Sequence, residues 1–140
     1  ILPFKRENGK EPLFLGSWEY YPEHSKDNNY ELFAITGDLR KDKTPVFTAN
    51  EVMKKRTGCS IQLIDFVYLG VSTIKVMNTD SLIFSDTIMF SVDVTNYDKD
   101  IKFIHESDKY ISFVTLETLM KSKDPLLYTM SVLSANMRLY

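Results

Sequence analysis

From Ile88 to Val94 the residues Ile88, Phe90, Val92 and Val94 alternate with Met89, Ser91 and Asp93. A period of two is the mark of a strand half-buried on one face. Tyr110–Thr115 repeats the alternation. The run Ile61–Val76 is dense in β-branched and aromatic residues, with Gly70 as the break between two strands. Asn8-Gly9 supplies the positive φ angles of a tight turn, so Ile1–Arg6 and Leu13–Tyr21 read as a hairpin. Tyr30–Thr36 reads as a further strand, followed by a charged turn from Gly37 to Lys43. After a turn at Tyr97–Lys99, Ile101–Ile104 returns as a strand.

The C-terminal third changes character. Leu116–Lys121 reads as a short helix, and Asp124-Pro125 starts another, with Asp as the cap and Pro in the first turn. Leu126, Leu127, Met130, Leu133 and Met137 then share a helical face. The expected architecture is mainly β, a distorted antiparallel β-barrel-like core with long loops and one or two C-terminal helices. A length of 140 residues makes this one domain, residues 1–140.

Hydrophobic residues make up 44 % of the chain, enough for a core. The formal net charge of −2 argues against a dedicated nucleic-acid binder, and sequence-specific DNA contact is not expected. A lone cysteine, Cys59, cannot form an internal disulfide, which fits a reducing compartment. No window approaches the ~18–20 apolar residues of a membrane span. The chain begins at Ile1 with no signal pattern and reads as a fragment or processed product of a soluble intracellular protein.

Catalytic and metal-binding signatures are sparse. Five glycines form no phosphate loop, and one cysteine with two separated histidines, His24 and His105, makes no structural metal site. Cys59 reads as a small buried apolar residue. Asp98 and Asp100 fall in a turn, where Asp is favoured for backbone hydrogen bonding. No enzyme activity, metal or cofactor is expected. Two cationic groups, Arg40, Lys41 and Lys43, then Lys54, Lys55 and Arg56, flank Phe47–Val52. A solvated surface is their ordinary reading; if the two loops converge, they form a basic patch suited to phosphates or an acidic protein surface.

Three segments carry a family resemblance. Trp18, Tyr20, Pro22 and Glu23 follow a Trp-x-aromatic-x-Pro-Glu pattern, with Tyr21 where an arginine is usual. Phe47, Asn50, Glu51 and Val52 follow as an aromatic and then Asn-Glu-Val. Val71–Met77, Phe90–Val94 and Lys102-Phe103-Ile104 complete the series. In order and spacing these resemble the bromo-adjacent homology (BAH) domain. The match is to the yeast subtype of the largest origin-recognition subunit and its silencing relative, less the strand that normally precedes Ile1–Phe4. The resemblance implies a nuclear, non-enzymatic module of gene silencing, transcription or replication that docks to a histone, a nucleosome or another chromatin protein. Its contacts would come from loops around residues 37–56, with Asn50 and Glu51 among them. An aromatic cage of Trp18, Tyr20, Tyr21 and Phe47 is one use of the tryptophan, and core packing beside Phe47–Glu51 is the other.

A second resemblance competes. Gly16-Ser17-Trp18 and Thr95-Asn96-Tyr97 are similar to two motifs of the lipocalins, which would imply a closed barrel around a small apolar ligand. A β-rich interaction protein of viral or parasite origin is the third reading.

Overall fold

Strand β2 (Leu13–Tyr20) is apolar on both sides, Phe14 and Trp18 on one and Leu15 on the other, as a strand covered on both faces must be. It is the hub of a six-stranded mixed sheet. The computed structural model describes residues 1–20, 30–77 and 82–140. Strand β6 (Lys109–Thr115) runs antiparallel along one edge of β2. The other edge is shared: β1 (Leu2–Lys5) takes Leu13 and Phe14, and β3 (Tyr30–Phe33) takes Ser17 to Tyr20. Beyond β1 lie β5 (Leu82–Asp93), parallel to it, and then β4 (Phe66–Met77) at the far edge, antiparallel to β5.

Helices cover both faces. Helix α1 (Pro45–Thr57) lies over the core of Leu15, Ile35, Met53, Phe90, Val92 and Ile111. Helices α2 (Leu116–Met120) and α3 (Pro125–Asn136) close the opposite core of Leu2, Phe4, Phe14, Leu119, Leu127 and Met130. Burying two faces lets a sheet of this size stand without closing on itself.

The strand pattern is confirmed in kind and corrected in assembly. The hairpin at Asn8-Gly9, the alternating strands and both C-terminal helices form as expected. The barrel does not: the sheet is open and contains a parallel pair, so a mainly antiparallel barrel-like core gives way to an α/β arrangement. Gly70 does not separate two strands. It sits at φ 135° in one continuous strand, where the register with β5 slips between Tyr68 and Gly70, a bulge that suits a residue without a Cβ. Ile101–Ile104 forms no strand; it follows a 3₁₀ turn at Thr95–Asp100 and leaves Phe103 exposed.

The largest correction falls on residues 44–58. The segment expected as loop around Phe47–Val52 is helix α1. Thr44 caps it by accepting a hydrogen bond from Phe47 N, Pro45 opens it, and Lys54, Lys55 and Arg56 face its negative dipole end. Gly58, at φ 70°, ends it as a left-handed cap, its N–H donating to Lys54 O. Among the described residues, no helix is long and apolar enough to cross a membrane.

Candidate functional site

One face of α1 repeats every three to four residues: Pro45, Thr48, Ala49, Val52, Lys55 and Arg56. That face, with the stretch Ile35–Arg40 leaving β3 and residues Ser85–Ile88 of β5, lines a cleft of about 1070 Å³. The cleft forms where β3 has departed from the sheet and β1 occupies the same edge of β2 further along.

Its most unusual wall is Arg56. The residue is only 5 % exposed. Its Nη2 donates to Ser17 Oγ of β2 at 2.7 Å, and Ser17 is itself fully buried. Among the described residues no carboxylate comes within ion-pair distance of it. Guanidinium carries five N–H donors and a fixed charge. A single hydroxyl takes one of those donors, and the rest of the fork keeps its access to the cleft, since none of its nitrogens is both buried and without a partner. Beside it, Lys55 is exposed and likewise without an ion pair among the described residues. Arg40 lines the opposite wall and is held by Glu51 at 3.5 Å and Asp42 at 3.4 Å, exposed pairs of small energetic weight. Lys109, at the start of β6, completes the basic lining.

The two cationic groups singled out in the sequence are thus sorted by the helix. Arg40, Lys55 and Arg56 reach the cleft; Lys41, Lys43 and Lys54 do not line it. Lys43 lies over the Phe47 ring at 4.8 Å. Asn50 turns to the other side, where its Oδ1 accepts from Ile61 N at 2.9 Å and pins the chain that follows α1. Glu51 lies on the cleft wall.

The aromatic residues lie elsewhere. Trp18 packs with the α2–α3 core, stacks on Tyr110 and donates through Nε1 to Ser112 Oγ at 2.8 Å. It does not pack beside Phe47–Glu51, because the alternation of β2 aims Trp18 at one face and Ser17 toward α1. Tyr20 is half-exposed and meets Tyr30 edge-on. Tyr21, Pro22, Glu23 and His24 lie outside the described residues. Cys59 is buried below α1, and burial followed by the charge of Asp100 pushes its thiol pKa up, away from the thiolate. Asp98 pairs with Lys5 at 3.3 Å. Ser17, Asp38, Thr48, Asp86 and Lys109 were not singled out from the sequence. The repeat of small residues at Thr48 and Ala49 before Val52, then Lys55 and Arg56, was the available signal for Thr48; the others become neighbours only through the sheet.

No protein-family model matches this sequence, and no curated protein matches it. Solved structures do. The chain is similar to an Ap4A hydrolase from C. elegans in a binary complex, at 14 % identity and a TM-score of 0.60, over 96 % of this chain and 94 % of that one. It is similar to the Nudix domain of NrtR from Shewanella oneidensis, solved with ADP ribose, at 12 % identity and a TM-score of 0.64, over 99 % and 84 %. A third is RenU, a Nudix hydrolase from M. smegmatis, at 10 % identity and a TM-score of 0.54, over 99 % and 83 %. At these identities the likeness establishes the fold, which is Nudix-like.

These neighbours overturn the BAH resemblance. Its Phe47–Val52 motif is helical, its Lys102-Phe103-Ile104 motif forms no strand, and whole-chain similarity runs to Nudix structures instead. The chromatin-docking role, the silencing and replication context and the nuclear setting rested on that resemblance and fall with it. The expectation of a non-enzymatic chain is corrected too, since the folds it matches include hydrolases. The lipocalin alternative fails because the sheet is open and helices cover both of its faces.

Proposed function

We propose that the cleft beside α1 binds a ligand of the nucleoside diphosphate class, with the phosphates drawn to Arg56 and Lys55. The observation that carries this reading is the guanidinium of Arg56, largely buried on the cleft wall with one hydroxyl partner and no carboxylate in ion-pair reach among the described residues. Planar, multi-donor guanidinium suits phosphate oxygens, and the donors that Ser17 does not take are free to make charge-assisted hydrogen bonds to an anion. The remaining lining at Leu39, Val52 and Ile88 offers apolar surface to the ribose or base. Of the fold's neighbours, one is an Ap4A hydrolase and another was solved with ADP ribose, which is support by analogy of fold.

The test is calorimetric titration with ADP ribose, ADP and adenosine. ADP ribose and ADP should bind and adenosine should not, because the phosphates supply the attraction. Chromatography of the same mixtures, with magnesium added, reads whether the ligand is cleaved. Adenosine binding as well as ADP, or no binding by any of the three, would sink the proposal.

A further inference from the structure

We infer that this cleft takes its phosphate-bearing ligand without a divalent cation, Arg56 and Lys55 bringing the positive charge to the phosphates; the inference rests on the ligand class proposed above. Magnesium in phosphoanhydride chemistry is held between one or two carboxylates and the ligand's own phosphates. The cleft has carboxylates at Asp38, Glu51 and Asp86. Among the described residues no group of three or more His, Cys, Asp or Glu side chains is placed to hold a metal ion, so an ion here would depend on one or two carboxylates and the ligand. Two of them are also engaged. Glu51 faces Arg40 at 3.5 Å, and Asp86 accepts from Thr73 Oγ1 at 2.8 Å.

Position on the helix makes the conflict sharper. Glu51 and Lys55 stand four residues apart on α1, adjacent on one helical face, and Arg56 follows. A divalent ion drawn to Glu51 would sit within about a helical turn of Lys55, and like charges at that range repel. With two of its carboxylates engaged and two cations beside them, the donor set suits a metal poorly. It fits an anion directly.

The experiment is titration of the whole chain with ADP ribose, once in excess EDTA and once in millimolar magnesium. The affinity should agree within about twofold, or fall slightly in magnesium, since a magnesium-bound diphosphate presents less charge to the two cations. Arg56→Met should weaken binding by about tenfold or more in both buffers, the loss expected for a charge-assisted hydrogen bond. A melting curve checks that this variant is folded, and the exposed Lys55→Gln, which leaves the core untouched, should weaken binding several-fold. Binding that appears only in magnesium, or tightens tenfold with it, overturns the inference while leaving the ligand class standing. No binding in either buffer overturns both.

Discussion

Helices α1 and α3 begin with the same device, a capping side-chain oxygen followed at once by proline: Thr44-Pro45 in one, Asp124-Pro125 in the other. They bury opposite kinds of surface. Helix α3 turns Leu126, Leu127 and Met130 inward, a stripe whose burial removes hydrocarbon from water at about 25 cal/mol per Å². Helix α1 buries Thr48, Ala49, Met53, Arg56 and Thr57. Only Met53 in that set is a large hydrophobe, and Arg56 opposes burial. Helix α1 adds a charge to its share of the core, and the face that carries Arg56 is the one on the cleft.

The largest effect should come from the apolar helix. Leu127 is fully buried among Phe4, Phe14, Leu119 and Met130. Leu127→Ala should cost about 2–5 kcal/mol of unfolding free energy, the transfer term plus a cavity, read by chemical denaturation. Nucleotide affinity at temperatures where the variant stays folded should hold. A loss of binding as large as the loss of stability would mean the two faces are coupled rather than divided between cohesion and recognition.

Arg56→Met inverts that pattern. The change replaces a largely buried ion held by one hydroxyl with an apolar side chain of similar length, so stability should stay within about 1 kcal/mol of the parent or rise, as for other buried ions exchanged for hydrocarbon. Binding of ADP ribose should weaken by about 1.5–3 kcal/mol, the worth of a hydrogen bond to a charged group. Severe destabilisation without change in affinity would return Arg56 to a purely structural role through Ser17.

The same contrast explains what the sequence disclosed. Helix α3 was legible because capping and apolar period agreed. Helix α1 carried an equally good cap at Thr44-Pro45, a basic last turn and Gly58 behind it, yet its inward face is small or polar, so hydrophobic periodicity was silent. Strand alternation located β5 and β6, but which edges pair is decided by residues far apart in sequence. The parallel contact of Leu2 with Ser91 has no local signature. Short motifs then filled the gap: Phe47, Asn50 and Glu51 resembled a family pattern, whereas on the helix Asn50 turns to Ile61, Glu51 to the cleft and Phe47 lies under Lys43. Arg56 was picked out as one cation of a surface group. That it is buried depends on Ser17, thirty-nine residues earlier, and no local pattern could show it.

The narrowest comparison lies between the two caps, and it tests whether the shared device is equally embedded. Thr44 Oγ1 accepts from Phe47 N at 3.3 Å and is exposed. Thr44→Ala should therefore cost about 0.5–1 kcal/mol, the low end for an N-cap. Asp124 accepts twice, from Leu126 N at 3.0 Å and from Ala34 N at 2.8 Å, so it caps α3 and also fixes the chain as it leaves β3. Asp124→Ala loses the cap and strands a partly buried N–H, which should cost about 2 kcal/mol. Ala34 leads directly into Ile35–Arg40 on the cleft wall. Asp124→Ala should thus loosen that wall and weaken ADP ribose several-fold, although Asp124 does not line the cleft, while Thr44→Ala leaves affinity unchanged. Amide exchange at Ala34 is the deciding measurement. Faster exchange there in Asp124→Ala, with none in Thr44→Ala, places the apolar helix's cap behind the recognition site; equal rates in the two variants would keep the faces independent.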